Sequence, residues 1–256
     1  MSCMARKRLV IGNWKMYIEK PEEARAYALA LRRKVRGLAG VDISVAVPFT
    51  LLPKISDVLE SSSVKVGAQT ISPYGDGKHT GDISGVMLKG AGALFTILGH
   101  SERRAAGDTD ATVRNQLERA LAAGLAPVLC IGEEVRSQDG EHFSVIEDQL
   151  SSALKNIPKN TLKKLVIAYE PVWAIGKQAE DAMKPADLQE MVIFIRKMLA
   201  DLLDREAALK IPILYGGSVE GGNASQLLKE GGVNGFLVGR ASAHVESFLE
   251  IINECK

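Results

Sequence analysis

Eight short apolar runs recur along the chain, each closed by glycine or polar residues. They are Leu9–Ile11, Ile43–Val47, Val64–Ala68, Leu94–Leu98, Pro127–Ile131, Leu165–Tyr169, Ile211–Tyr215 and Phe236–Val238. Each is a few residues long and rich in Val, Ile and Leu, as expected for strands buried on both faces of a parallel sheet. Helical patterns lie between most of them. Pro21-Glu22-Glu23 opens one with a favourable first turn, and its apolar positions continue through Val35 to a stop at Gly37. A second spans Asp108 to Ala123 and stops at Gly124. The longest runs from Pro185 to Leu203, with Leu188, Met191, Val192, Ile195, Met198, Leu199 and Leu202 at helical spacing. Eight strands alternating with helices in 256 residues predict an α/β chain folded as a (β/α)8 barrel, one domain over residues 1–256. A doubly wound open sheet is the structural alternative, but it usually needs fewer strands. Residues 1–6 are expected to form a loosely ordered extension.

Charge and cysteine content exclude several functions. The 32 basic and 31 acidic residues leave a net charge of +1, so no global field favours nucleic acid or an acidic membrane. No stretch is long and apolar enough to span a bilayer, and the start of the chain is too short in apolar residues for a signal-peptide core. Cys3, Cys130 and Cys255 are scattered, with no pairing pattern and no Cys/His cluster of the kind zinc requires. A reducing compartment, the cytoplasm, is the expectation.

In a barrel the chemistry belongs at the C-terminal strand ends. Read in order, these ends supply Asn13-Trp14-Lys15, Gly99-His100-Ser101-Glu102, Gly132-Glu133, Glu170-Pro171-Val172-Trp173, Gly216-Gly217-Ser218 and Gly239-Arg240. A carboxylate, an imidazole, a lysine and glycine turns on one rim suggest acid–base chemistry on an anion. Glu170, partly desolvated by the barrel end, is suited to take a proton. The alternative is a rim carboxylate paired with a nearby Lys or Arg, but the apolar run Pro171–Gly176 beside it argues for a loop that closes over something. His100 precedes a short helix that Ser101 is placed to cap, and a helix N-terminus favours a neutral imidazole. Lys15 offers a fixed positive charge, although by itself it reads equally as a solvated loop lysine. The glycine turns after the last two strands suit a phosphate held by backbone N–H groups. The polar segment Gln69–Ile83 is long enough to carry function or contacts.

The stretches Gly12–Lys15, Leu98–Arg104, Ala168–Gly176 and Tyr215–Val219 resemble the triosephosphate isomerase family, and the similarity runs from about Lys7 to Ile252. That resemblance implies a TIM barrel that interconverts dihydroxyacetone phosphate and D-glyceraldehyde 3-phosphate through an enediolate. It casts Glu170 as the base, neutral His100 as the group polarising the carbonyl, and Lys15, oriented with Asn13, as the charge offsetting the developing anion. Gly176, Ser218, Gly239 and Arg240 would hold the phosphate, and Glu102 would orient Lys15. No metal or organic cofactor is implied. The resemblance further implies a lid from Pro171 to about Ala179, and a homodimer in which the Gln69–Ile83 loop brings Thr80 near the other subunit's site. Two departures stand out. Lys177-Gln178-Ala179-Glu180-Asp181 replaces the usual Thr-Gly-Lys-Thr-Ala, and Arg240 replaces the second glycine of the phosphate turn. A barrel that binds phosphosugars or a partner without turnover competes with this reading, yet Lys15, His100 and Glu170 all remain. An aldolase on the same fold would want a Schiff-base lysine on a central strand or a metal cluster, and neither is evident.

Overall fold

The structure, a computed structural model, describes residues 7–137, 139–176 and 182–256. The expected N-terminal extension and the expected distal lid residues 177–181 lie outside the described residues.

The strands are Arg8–Asn13 (β1), Val41–Val47 (β2), Val64–Ala68 (β3), Phe95–Leu98 (β4), Ala126–Ile131 (β5), Val166–Tyr169 (β6), Ile213–Tyr215 (β7) and Gly235–Val238 (β8). They form one closed parallel barrel in sequence order. β1 pairs with β2 on one side and with β8 on the other, which excludes the open sheet. Every run read from the sequence overlaps a strand, but Leu94, Leu165, Ile211 and Pro212 fall just outside theirs. At the last of these, Pro212 has no N–H to give and contributes only its carbonyl, which accepts the Ile167 N–H at 2.9 Å. β7 is short, and Asn234 splices it to its neighbour. The Asn234 N–H donates to the Ile213 carbonyl at 2.7 Å, and its Oδ1 accepts the Ile213 N–H at 2.9 Å.

The helices are Pro21–Lys34 (α1), Leu52–Leu59 (α2), Gly85–Gly90 (α3), Ser101–Ala105 (α4), Asp110–Ala122 (α5), Glu141–Leu154 (α6), Pro185–Leu202 (α7), Arg205–Lys210 (α8), Gly221–Glu230 (α9) and Val245–Glu254 (α10). α1 begins on Pro21, carries Glu22 and Glu23 in its first turn and ends on Arg32, Arg33 and Lys34, complementing its dipole at both ends. It buries Ala24, Tyr27, Ala28 and Leu31 against the barrel. α7 likewise buries Leu188, Met191, Val192, Ile195, Met198 and Leu199. α5 starts two residues later than expected because Thr109 caps it, its side chain accepting the Thr112 N–H.

The core therefore has two layers. Most buried apolar side chains lie between strands and helices. A smaller cluster, including Ile11, Ala46, Phe95, Ile97, Cys130, Ala168, Leu214 and Leu237, fills the barrel itself. The interior is packed, and the strand ends are held as a rigid ring for whatever their side chains present. Among the described residues no helix is long and apolar enough to cross a membrane.

Candidate active site

All the residues singled out for the site line one cavity of about 210 Å3 at the C-terminal rim: Asn13, Lys15, His100, Glu102, Glu170, Gly176, Ser218, Gly239 and Arg240. Glu170 follows β6 and is only 2% exposed, and His100 follows β4 and is 6% exposed. His100 Nε2 stands 3.3 Å from Glu170 Oε1. Glu170 Oε2 accepts the backbone N–H of Ser101 at 3.0 Å.

The expected cap of α4 is shifted by one residue. His100, not Ser101, is the N-cap, its Nδ1 accepting the Glu102 N–H at 3.1 Å. An imidazole nitrogen that accepts an N–H is unprotonated, so this contact assigns the ring proton to Nε2, the atom facing Glu170. Ser101, moved inside the first turn, is free to turn its N–H to the carboxylate.

Lys15 follows β1 with φ 47, one of two non-glycine residues among those described with positive φ. Such a conformation costs energy and persists only where surroundings impose it. Here the Lys15 N–H donates to Asn13 Oδ1 at 3.2 Å, and its carbonyl accepts from Gln69 Nε2 at 3.0 Å. The ammonium donates to Glu102 Oε1 at 2.7 Å and points across the cavity toward Gly239. Burial works against ionisation of Glu102, but the hydrogen bond and charge of Lys15, with a smaller effect of His100, outweigh it and hold the carboxyl below its ordinary value.

Two strand-end glycines set Glu170's position. A Cβ on Gly132 would fall 1.8 Å from the Glu170 carbonyl oxygen, and one on Gly216 would fall 2.8 Å from its Cγ. The Gln149 side chain clamps Gly132 from α6, accepting its N–H at 2.9 Å and donating to its carbonyl at 3.0 Å. Burial, then the neighbouring Glu170 carboxylate, push the Cys130 thiol well above its usual range.

The segment after Glu170 forms a short 3-10 turn, Val172–Ala174. Trp173 Nε1 and the Tyr169 hydroxyl each donate to Glu133 Oε1 at 2.8 Å. Burial, then the Glu133 carboxylate, raise the Tyr169 phenol far above its ordinary value. Ser218 Oγ donates to the Ala174 carbonyl at 2.9 Å, tying this segment to the turn after β7. The sequence alone assigns Glu133 no role. Its strand-end place after Gly132 was the available signal, but its partners come from β6 and the following turn. The Arg240 side chain reaches back over the cavity edge, with Nη2 3.6 Å from Glu220 Oε1.

A family model of triosephosphate isomerase matches residues 8–255. The chain belongs to the triosephosphate isomerase family. It is 41% identical over 256 residues to the triosephosphate isomerase of Protochlamydia amoebophila, covering 99% of this chain and 96% of that protein. The enzyme of the same name from Endomicrobium trichonymphae is 40% identical over 253 residues, with 98% and 100% of the two chains covered. That from Carboxydothermus hydrogenoformans is 40% identical over 249 residues, covering 96% and 98%. As a triosephosphate isomerase family member the chain is an isomerase, and the expected family and barrel both hold. Of the two departures from the family pattern, Arg240 carries no positive φ among the described residues, so its N–H keeps an ordinary backbone geometry. The other, at 177–181, lies outside the described residues. Among the described residues no group of three His, Cys, Asp or Glu side chains is arranged to hold a metal ion.

Proposed function

We propose that the rim cavity interconverts dihydroxyacetone phosphate and D-glyceraldehyde 3-phosphate by proton transfer, with Glu170, His100 and Lys15 as its catalytic groups. The observation that carries this reading is the approach of His100 Nε2 to Glu170 Oε1, 3.3 Å, between two buried side chains that line one rim cavity. These roles are the ones this family is already known for. Glu170 removes a proton from the carbon beside the carbonyl. The electrons of that C–H bond form the C=C bond of the enediolate, and the carbonyl π electrons move onto oxygen. The Nε2 proton of His100 stabilises that oxygen and is passed between the two oxygens. Glu170 then returns its proton to the neighbouring carbon, so the reaction balances without oxidant, reductant or metal. Lys15, held by Glu102 and Asn13, offsets the negative charge as it grows. The phosphate is seated on backbone N–H groups of Gly176, Ser218, Gly239 and Arg240. Pro171–Gly176, with the residues after it, acts as the lid that excludes water from the enediolate.

The test is a coupled assay: dihydroxyacetone phosphate is supplied and glyceraldehyde 3-phosphate is detected with an auxiliary dehydrogenase. Turnover is expected, and correctly folded protein without turnover overturns the assignment.

The reading extends to a cytoplasmic homodimer. The Gln69–Ile83 loop is drawn closed at its neck, where the Ser72 N–H donates to the Ile83 carbonyl at 3.0 Å and Ser72 Oγ to Asp82 at 2.9 Å. Tyr74 and His79 stack above it at 4.0 Å, leaving Thr80 exposed at the tip. Met16, 80% exposed beside the catalytic Lys15, supplies apolar surface for a second copy to cover.

A further inference from the structure

The barrel has a second opening, at the N-terminal ends of its strands, where a cavity of about 440 Å3 lies across the barrel from the catalytic rim. Its floor is apolar and belongs to the barrel interior, being formed by Leu9, Ile11, Phe95, Val128 and Val166. Leu94, 48% exposed, stands at its edge. Around this floor stand Lys65, Lys89, Lys163, Lys164 and Lys210, and no lining residue is acidic.

The lysines come from separate parts of the fold. Lys65 lies on β3 opposite Ser44, and the next pair along the same face is Ala46 with Gly67. Ala46 belongs to the barrel interior, and a Cβ on Gly67 would lie 2.5 Å from the Phe95 ring. Lys65 is therefore an inward-facing position at the outermost layer of the barrel, occupied by a cation. Lys89 is on α3, Lys210 ends α8, and Lys163 and Lys164 end the 3-10 turn Lys159–Lys164. Lys210 pairs with Glu206 on its own helix, whereas Lys65, Lys89, Lys163 and Lys164 have no ion-pair partner among the described residues. Of the carboxylates near this end, Asp42 faces Lys7, while Asp204 and Glu206 line an adjoining pocket shared with Lys163 and Lys210. In a chain of net charge +1 this is a strong local asymmetry. Like charges gathered over a low-dielectric floor repel one another and concentrate counter-ions at the opening.

We propose that this mouth is a second binding site, for a small organic polyanion with an apolar body. The volume falls within the range of small-molecule pockets, the floor supplies hydrophobic contact, and the lysine ring supplies charge on several sides. Phosphate, sulfonate and carboxylate heads share the required chemistry.

Naphthalene disulfonate is a suitable probe because it joins an aromatic body to two charges and carries no phosphate for the catalytic cavity. Fluorescence titration of the full protein at physiological salt is expected to give saturable one-to-one binding, tighter than inorganic sulfate by about tenfold or more. The double charge reversal Lys163→Glu/Lys164→Glu and the separate variant Leu94→Asp should each weaken it by about tenfold, with isomerase turnover unchanged as the check on folding. Binding no tighter than sulfate, binding indifferent to both variants, or competition of the probe with the triose phosphate would each overturn the proposal.

Discussion

Glu170 rests with one oxygen on the Ser101 N–H and the other facing His100. Under the proposed mechanism the carboxylate would have to leave the Ser101 N–H to reach a substrate carbon, and the methylene that sets its reach would be decisive. Glu170→Asp shortens that reach by one carbon and should lower kcat on the order of 10²-fold. The coupled assay checks this, and near-native turnover would remove Glu170 from its role. Glu102 is tested by pH. Its carboxyl is held below 4.5 in the folded chain, so its pairing contributes stability fully above the unfolded value and loses it as pH falls through the folded one. Unfolding free energies of the native chain and Glu102→Gln should therefore differ at neutral pH and converge in acid; a constant difference would refute the pairing. Cys130, buried with its thiol pushed up, should resist alkylation at pH 8 in the native protein and react after unfolding, as read by intact mass. At this scale the sequence disclosed which residue types meet at the rim, because each candidate site residue ends a strand or lies in the segment after one. It did not disclose which atoms meet. Serine is the commoner cap, so Ser101 was the natural choice for α4, yet the His100 Nδ1 is an equally good acceptor and releases the Ser101 N–H to Glu170. Glu220 beneath Arg240 and Glu133 beneath Trp173 are through-space partners that local pattern does not encode.

The elements were legible because buried parallel strands need continuous apolar runs, and eight of them leave few alternatives. Their ends were less so, since a ladder stops where a hydrogen-bond partner stops rather than where hydrophobicity does. β7 shows the consequence. It pairs with β8 through a single residue pair, Tyr215 with Phe236, and relies on Asn234 for the rest. Asn234→Ala leaves the Ile213 N–H without that acceptor and should cost about 1–3 kcal/mol in urea unfolding. A midpoint unchanged from the native chain would show that the splice carries no weight. The adjoining Gly235 is stricter. It sits at φ 147, and a Cβ there would approach the Leu9 carbonyl oxygen to 1.9 Å. Gly235→Ala should destabilise the barrel by about 3 kcal/mol or more, visible in the same experiment.

At the scale of the molecule, the dimer reading predicts a light-scattering mass of twice 27.6 kDa at micromolar concentration, and the mass of one chain would count against it. Closure of the barrel bears on a different stage of the protein's life. Leu9 pairs with Gly235, so β1, which leaves the ribosome before β8, waits for it before its free side is covered. During that interval a nascent chain presents an unpaired strand edge and an unfilled apolar interior, both prone to association. Nascent chains halted before β8 should accordingly be held by chaperones or aggregate, and release should follow emergence of the last strand.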